Sequence, residues 1–208
     1  MKPTNKLMKR LSLYLFLILF TFQTLSWADD IQDFEIEGMS IGDSALDYLS
    51  EEEIKKEIKS NKKYYQIYKP KDKFGEVYLY DDSKFIMYEK VSIFVKPSDR
   101  NYKIYFIRGM IAYIEDIKGC LNKQKEVAST IEKLINDFDK GETKFKSDLD
   151  PSGQSTYNQT QYELKNGDVF VISCSNWEES LRKKNNWSEG LSVVIQPKEI
   201  TDWFISND

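Results

Sequence analysis

The chain has 208 residues, 30 basic and 34 acidic side chains, two cysteines and no histidine. The missing histidine excludes Ser-His and Cys-His nucleophile pairs and every histidine metal site. A net charge of −4 without a strong basic block argues against nucleic acid or anionic lipid as the main partner.

MKPTNKLMKR, then LSLYLFLILFTFQTL, then Ser26, Trp27 and Ala28 follow the pattern of a secretory signal peptide. This predicts cleavage after Ala28 and divides the chain into a leader, 1–28, and one domain, 29–208. The alternative is an uncleaved anchor, for which the apolar run is short of the ~20 residues that span a bilayer. No cysteine near the site permits lipid attachment, and no later segment is apolar enough to cross a membrane. The leader holds Lys2, Lys6, Lys9 and Arg10 and no acid, so the remainder carries 26 basic against 34 acidic residues, a net −8.

Within the domain, Phe34 and Ile36 alternate with charges as a short strand, Gly38 and Gly42 bracket a turn, and Asp43 is placed to cap a short helix carrying Ala45, Leu46 and Leu49. Ser50 and Glu53 form a capping-box pattern for a helix with acids at its start and lysines toward its end. Strands are expected at Tyr64 to Tyr68, Glu76 to Tyr80, Phe85 to Val95 and Tyr102 to Glu115, with Gly109 marking a bulge or bend in the last. From Lys118 to Phe138 the apolar residues recur at helical spacing, predicting a central amphipathic helix with Gly141 as its left-handed cap. A polar loop follows, KSDLDPSGQSTYNQ. Strands return at Thr160 to Leu164 and Asp168 to Cys174, joined by an Asn166-Gly167 type I′ turn. A short helix at Trp177 to Lys184, a strand at Leu191 to Gln196 and a terminal helix at Pro197 to Ile205 complete the chain. The fold class is α+β: a single domain with an antiparallel sheet of mixed order packed on the central helix, helices largely on one side.

Cys120 and Cys174, in a chain addressed to an oxidising compartment, point to one structural disulfide, with two buried thiols as the alternative. Tyr78 and Tyr80 share one strand face opposite Val77 and Leu79, an aromatic surface suited to a glycan, a peptide or a partner protein. Trp177 and Trp187 are candidates for the edge of a pocket, or for anchors of short helices. Asp148, Asp150, Ser152 and Gly153 occupy positions one, three, five and six of an EF-hand-like loop, a weak calcium candidate because Gln159 stands where a bidentate Glu belongs. Glu35 with Glu37, and Asp81 with Asp82, are carboxylate pairs without a sign of burial. Arg182, Lys183 and Lys184 form a basic cluster diluted by neighbouring glutamates. No nucleophile elbow or phosphate loop is present, and no cofactor is expected.

The leader, the segment FEIEGMSIGDSALDYLSEEEI and the order of strands then helix resemble small secreted bacterial proteins of unassigned activity. Gly38, Met39 and Ser40 also resemble the turn found in outer-membrane assembly accessory lipoproteins and β-lactamase-inhibitor-like domains, where it starts a helix before a meander. The resemblance implies a periplasmic or secreted α+β domain. The expectation is a non-enzymatic binding or accessory protein of the cell envelope, its partner an envelope protein or glycan; the alternative is a small periplasmic hydrolase using carboxylates or Ser with Lys.

Overall fold

A computed structural model describes residues 30–80 and 85–206, so the predicted leader and the pair Asp81 and Asp82 lie outside the described residues. Thirteen elements of helix and strand build an α+β fold around one seven-stranded antiparallel sheet. A two-stranded hairpin, β1 (Glu35–Ile36) and β2 (Met39–Ser40), opens the domain. Glu37 and Gly38 form its turn, both at positive φ. Met39 and Ser40 are therefore strand residues, and the next helical turn is the 3-10 segment Ala45–Asp47. Its cap is Ser44 rather than Asp43, whose carboxylate instead accepts the Ser40 N–H.

Helix α1 (Glu51–Asn61) starts at the expected capping box, with Ser50 and Glu53 each bonded to the other's backbone. It lies against β3 (Gly75–Leu79), an edge strand of the large sheet. Asn61 Nδ2 donates to the Glu76 carbonyl, and Glu57 accepts the Tyr78 N–H. Backbone groups on an open edge would template pairing with another chain, and α1 blocks them here.

The sheet order is β3, β4 (Lys90–Val95), β5 (Ile104–Ala112), β9 (Gly190–Gln196), β8 (Val169–Asn176), β7 (Thr156–Leu164) and β6 (Phe138–Lys146). Two meanders thus meet at β5 and β9. Helix α2 (Ile117–Leu134) carries the chain from the first meander to the far edge and packs over β8 and β9. Cys120, Gln124, Ala128 and Ile131 are its buried residues. The disulfide is formed: Cys120 in the first turn of α2 is joined to Cys174 on β8, with Cα atoms 6.0 Å apart.

The helix ends four residues sooner than its apolar period suggests. Ile135 is extended and fully buried, and Asp137 at φ 53 turns the chain into β6. Ile135 and Phe138 still reach the core, but from an extended link and a strand, so their spacing mimicked about one more helical turn. Leu134, expected on the buried face, is exposed. Gly141 lies within β6 opposite Gln161 and caps nothing.

Other expectations are corrected in the same way. Tyr64 to Tyr68 is no strand: a 3-10 turn Lys62–Tyr64 leads into a segment whose Tyr65 and Tyr68 pack on Trp203. Residues 85–89 precede β4 rather than belong to it: the Ile86, Met87 and Tyr88 N–H groups are taken by a side chain, as shown below, and only the Glu89 N–H reaches β5, at the Met110 carbonyl. Gly109 sits in regular register, and the irregularity falls at Phe94 and Val95. Thr156 to Gln159, placed in the polar loop, are paired residues of β7. In the turn after β7 only Gly167 has positive φ, so the connection is not type I′.

Helices are not confined to one side. Helix α3 (Glu179–Asn185) follows β8, and α4 (Lys198–Ile205) crosses the sheet face opposite α2. There Trp203 and Ile200 form a second core with Phe74, Phe94, Phe106 and Val194. Because α4 spans only eight residues, it covers one end of that face, and among the described residues no other helix covers the rest.

Candidate binding face

Strand register places Tyr78, Ser92, Arg108, Val194, Val171 and Gln161 side by side across β3, β4, β5, β9, β8 and β7. Side chains alternate between faces, so these six share the face that α4 partly covers. Val194 and Val171 are under the helix. The next row, two residues along, is Lys90, Met110, Ser192, Ser173 and Gln159, all part-exposed and beyond α4. Tyr80 continues this row past the end of β3 and is 64% exposed. At the ~4.8 Å spacing of strands, the open strip measures roughly 24 Å from β3 to β7.

The β3 end of the strip rests on a buried polar network. Glu76 is 1% exposed, and its Oε2 accepts the Tyr65 hydroxyl at 2.6 Å. Its Oε1 accepts Ser92 Oγ at 2.6 Å and Arg108 Nη2 at 2.8 Å. Burial opposes the charge on Arg108, but Glu76 together with Tyr78 and Tyr65 outweighs it and raises the guanidinium pKa. The Tyr65 and Tyr78 hydroxyls are pushed far above their ordinary range, first by burial and then by the Glu76 charge. They remain neutral donors and acceptors at any physiological pH.

Above this network sit the aromatic and cationic groups. Tyr78 and Tyr80 stack with centroids 6.0 Å apart. Lys90 Nζ lies 3.9 Å from the Tyr78 centroid and 5.4 Å from that of Tyr80. Its pKa is lowered by burial and by the neighbouring Arg108 charge. A sheet surface with hydroxyls, amides, ring faces and two cations can hold a polar ligand lengthwise.

The other end carries the tryptophans. Phe145 stacks on Tyr157 at 5.2 Å, Tyr157 meets Trp177 edge to face at 5.3 Å, and Trp177 touches Trp187 at 4.3 Å. Both tryptophans are half-buried. Their support is Glu189, buried, whose carboxylate accepts the Trp177 and Glu115 N–H groups and pairs with Arg182 at 3.2 Å. Arg182, expected in a solvated basic cluster, is instead a tether for α3.

Two sequence candidates, Tyr78 with Tyr80 and Trp177 with Trp187, thus lie on one sheet face at opposite ends of one strip. The remaining candidates lie elsewhere. Asp148 is exposed, and Asp150 is buried with its carboxylate accepting the Ser152, Gln154 and Ser155 N–H groups. The Ser152 hydroxyl first, and then the Ser155 N–H and hydroxyl and the Ser152 N–H, hold its pKa well below the carboxylate range against burial, and both oxygens are committed to the loop that carries Ser155. Ser152 sits on that loop, exposed. Glu35 is exposed, whereas Glu37 accepts the N–H groups of Ile86, Met87 and Tyr88 at 2.6 to 2.7 Å. Glu37 is thus a clamp between the hairpin and residues 85–89. Among the described residues no three His, Cys, Asp or Glu side chains converge to hold a metal.

Sequence reasoning missed Glu76, Lys90 and Arg108. Glu76 and Arg108 are charges inside otherwise apolar strands, GEVYL and IYFIRGMIA, in phase with each other and out of phase with the core residues Val77 and Ile107. That phase was the available signal. Ser92 and Glu76, a serine beside a carboxylate, are both sealed beneath the surface at 0% and 1% exposure, out of a substrate's reach.

On the α2 side of the sheet, a groove of about 420 Å³ runs between the helix and β6 and β7. Its Lys140 is already paired with Glu132 at 3.1 Å and Glu142 at 2.7 Å. Comparison with family models, with curated proteins and with solved structures finds no match for this chain.

Proposed function

We propose that the chain is an exported, non-enzymatic binding protein of the bacterial cell envelope, and that the open strip between Tyr80 and Trp177 is its binding surface. One observation carries this reading: residues a hundred positions apart place aromatic groups at both ends of a sheet strip that none of the described elements covers. A fold that needed only stability would have buried those rings, as Trp203 is buried under α4. The Cys120–Cys174 disulfide supports an oxidising compartment, in keeping with the predicted leader. Among the described residues no helix is long and apolar enough to cross a membrane.

The test is capture from an envelope extract by the exported protein, beside a Tyr78→Ala, Tyr80→Ala variant and a Trp177→Ala variant. A partner or glycan retained by the parent and lost by both variants, each folded by circular dichroism, is the expected result. Retention by both variants would remove the strip from consideration.

A further inference from the structure

We infer that Arg108 and Lys90 form an anion subsite on this strip and that its ligand is an acidic oligosaccharide, a chain of sugar rings bearing spaced carboxylates. The inference rests on the binding-surface reading above and deepens it.

Two cations stand at this end of the strip, and the two carboxylates near them are engaged from below: Glu76 serves Arg108, Ser92 and Tyr65, and Glu57 holds the Tyr78 N–H and the Asn61 amide. Among the described residues no carboxylate forms an ion pair with Lys90; ring faces hold its ammonium, with Glu76 and Glu57 acting on it only at longer range. Arg108 bonds only through Nη2, and its Nε is buried without an acceptor. An unmade hydrogen bond on a buried cationic group is costly, and so is a second cation beside it. The cost of the second cation falls when an anion settles between the two heads, which stem from diagonal neighbours on adjacent strands. The Arg108 side chain keeps 29% exposure, so the guanidinium is reachable from the strip.

The carrier of that anion follows from the surroundings. A protein with net −8 after the predicted cleavage repels a dense polyanion, so the site suits widely spaced single charges rather than a phosphate chain. The exposed Tyr80 ring beside the anion site offers a flat apolar face of the kind a sugar ring covers. Beyond it, Ser192, Ser173 and Gln159 present hydroxyls and an amide in a line toward Tyr157 and Trp177, matching a ligand with polar groups along its whole length. An acidic peptide would ask for an apolar pocket or a free strand edge, and the neighbouring β3 edge is closed by α1.

The experiment is calorimetric titration of the exported protein with a hexasaccharide of alternating uronic acid and neutral hexosamine. The same hexasaccharide with its carboxylates reduced to alcohols is the control. The expected result is binding of the acidic form and a loss of about tenfold or more for the reduced form, the scale of one charge-assisted hydrogen bond. Lys90→Gln should lose a similar factor for the acidic form and nothing for the reduced one. This variant leaves the Glu76 network intact, which Arg108→Met does not. Tyr80→Ala should weaken both forms. Equal binding of the two forms, an unaffected Lys90→Gln protein, or no binding of the acidic hexasaccharide overturns the inference. In that last case, a partner captured from extract and lost with Tyr78→Ala and Tyr80→Ala would leave the strip standing with a different ligand.

Discussion

Arg108 Nη2 lies 2.8 Å from Glu76 Oε1, an ion pair that reaches from β5 across β4 to β3 and takes in Ser92 on the way. The Glu76 side chain is wholly buried, and the pair is the base on which Tyr78 and Lys90 rest. Removing one partner of a buried pair leaves an uncompensated charge and costs on the order of 3–5 kcal/mol. Glu76→Ala should therefore destabilise strongly by urea unfolding. Replacing both residues by Met should cost less than the two single losses together, the difference reporting their coupling of roughly 1–3 kcal/mol. Strict additivity would show that each side chain acts alone.

The disulfide gives a second prediction. Cys120 and Cys174 are 54 residues apart in sequence and pin the start of α2 to β8. In the chain-entropy account, closing such a loop stabilises by ~4 kcal/mol. The Cys120→Ser, Cys174→Ser protein should melt on the order of 10 °C lower than the oxidised parent, given 2–4 °C per kcal/mol at this size. Mild reduction of the parent should reproduce that shift. An unchanged melting temperature would mean that packing of Gln124, Ala128 and Ile131 alone holds the helix.

The elements legible in sequence were those whose local chemistry and tertiary role agree. The capping box at Ser50 and Glu53 satisfies the helix end by itself, and the alternation of Val77 and Leu79 with Tyr78 declares a two-faced strand. Where the core is reached by a different backbone, periodicity misled: Ile135 and Phe138 keep helical spacing from outside the helix. Tyr65 and Tyr68 have strand-forming side chains, yet they are held by Trp203, which lies far along the chain. The site was half visible for the same reason. Its aromatics announce themselves by composition, but that Tyr80 and Trp177 face one strip depends on β5 pairing with β9, a contact between meanders that no local pattern encodes. Glu37 looked like one of two idle acids until its partners, fifty residues away, were in place.

Gly109 is fixed by the ring of Tyr88. A Cβ at this position would stand 2.5 Å from Cδ1 and 2.6 Å from Cε1 of that ring. Inserting one methyl where nothing can yield costs roughly 1–3 kcal/mol. Gly109→Ala should show that loss in chemical denaturation, whereas in a Tyr88→Ala background the same change should be nearly neutral. A full loss in both backgrounds would place the constraint in the backbone of β5 instead.

Glu37 makes stability depend on pH in a defined direction. Partial burial raises its pKa, but the three N–H groups of Ile86, Met87 and Tyr88 outweigh that and hold it below the ordinary 4.5. A depressed folded value means that the stabilisation is fully present above pH 4.5 and drains as pH falls, because the unfolded chain takes up its proton first. It is gone once the folded carboxylate is protonated too. The group is partly open to solvent, so the expected size is the low end for charged hydrogen bonds, about 1 kcal/mol. Glu37→Gln should be less stable than the parent by that amount in urea at neutral pH, with the gap closing as pH drops below 4.5. Amide exchange at Met87 and Tyr88 should quicken in the variant, since those N–H groups lose a charged acceptor. A gap that stays constant down the acid range would show that the clamp works through shape and not through charge.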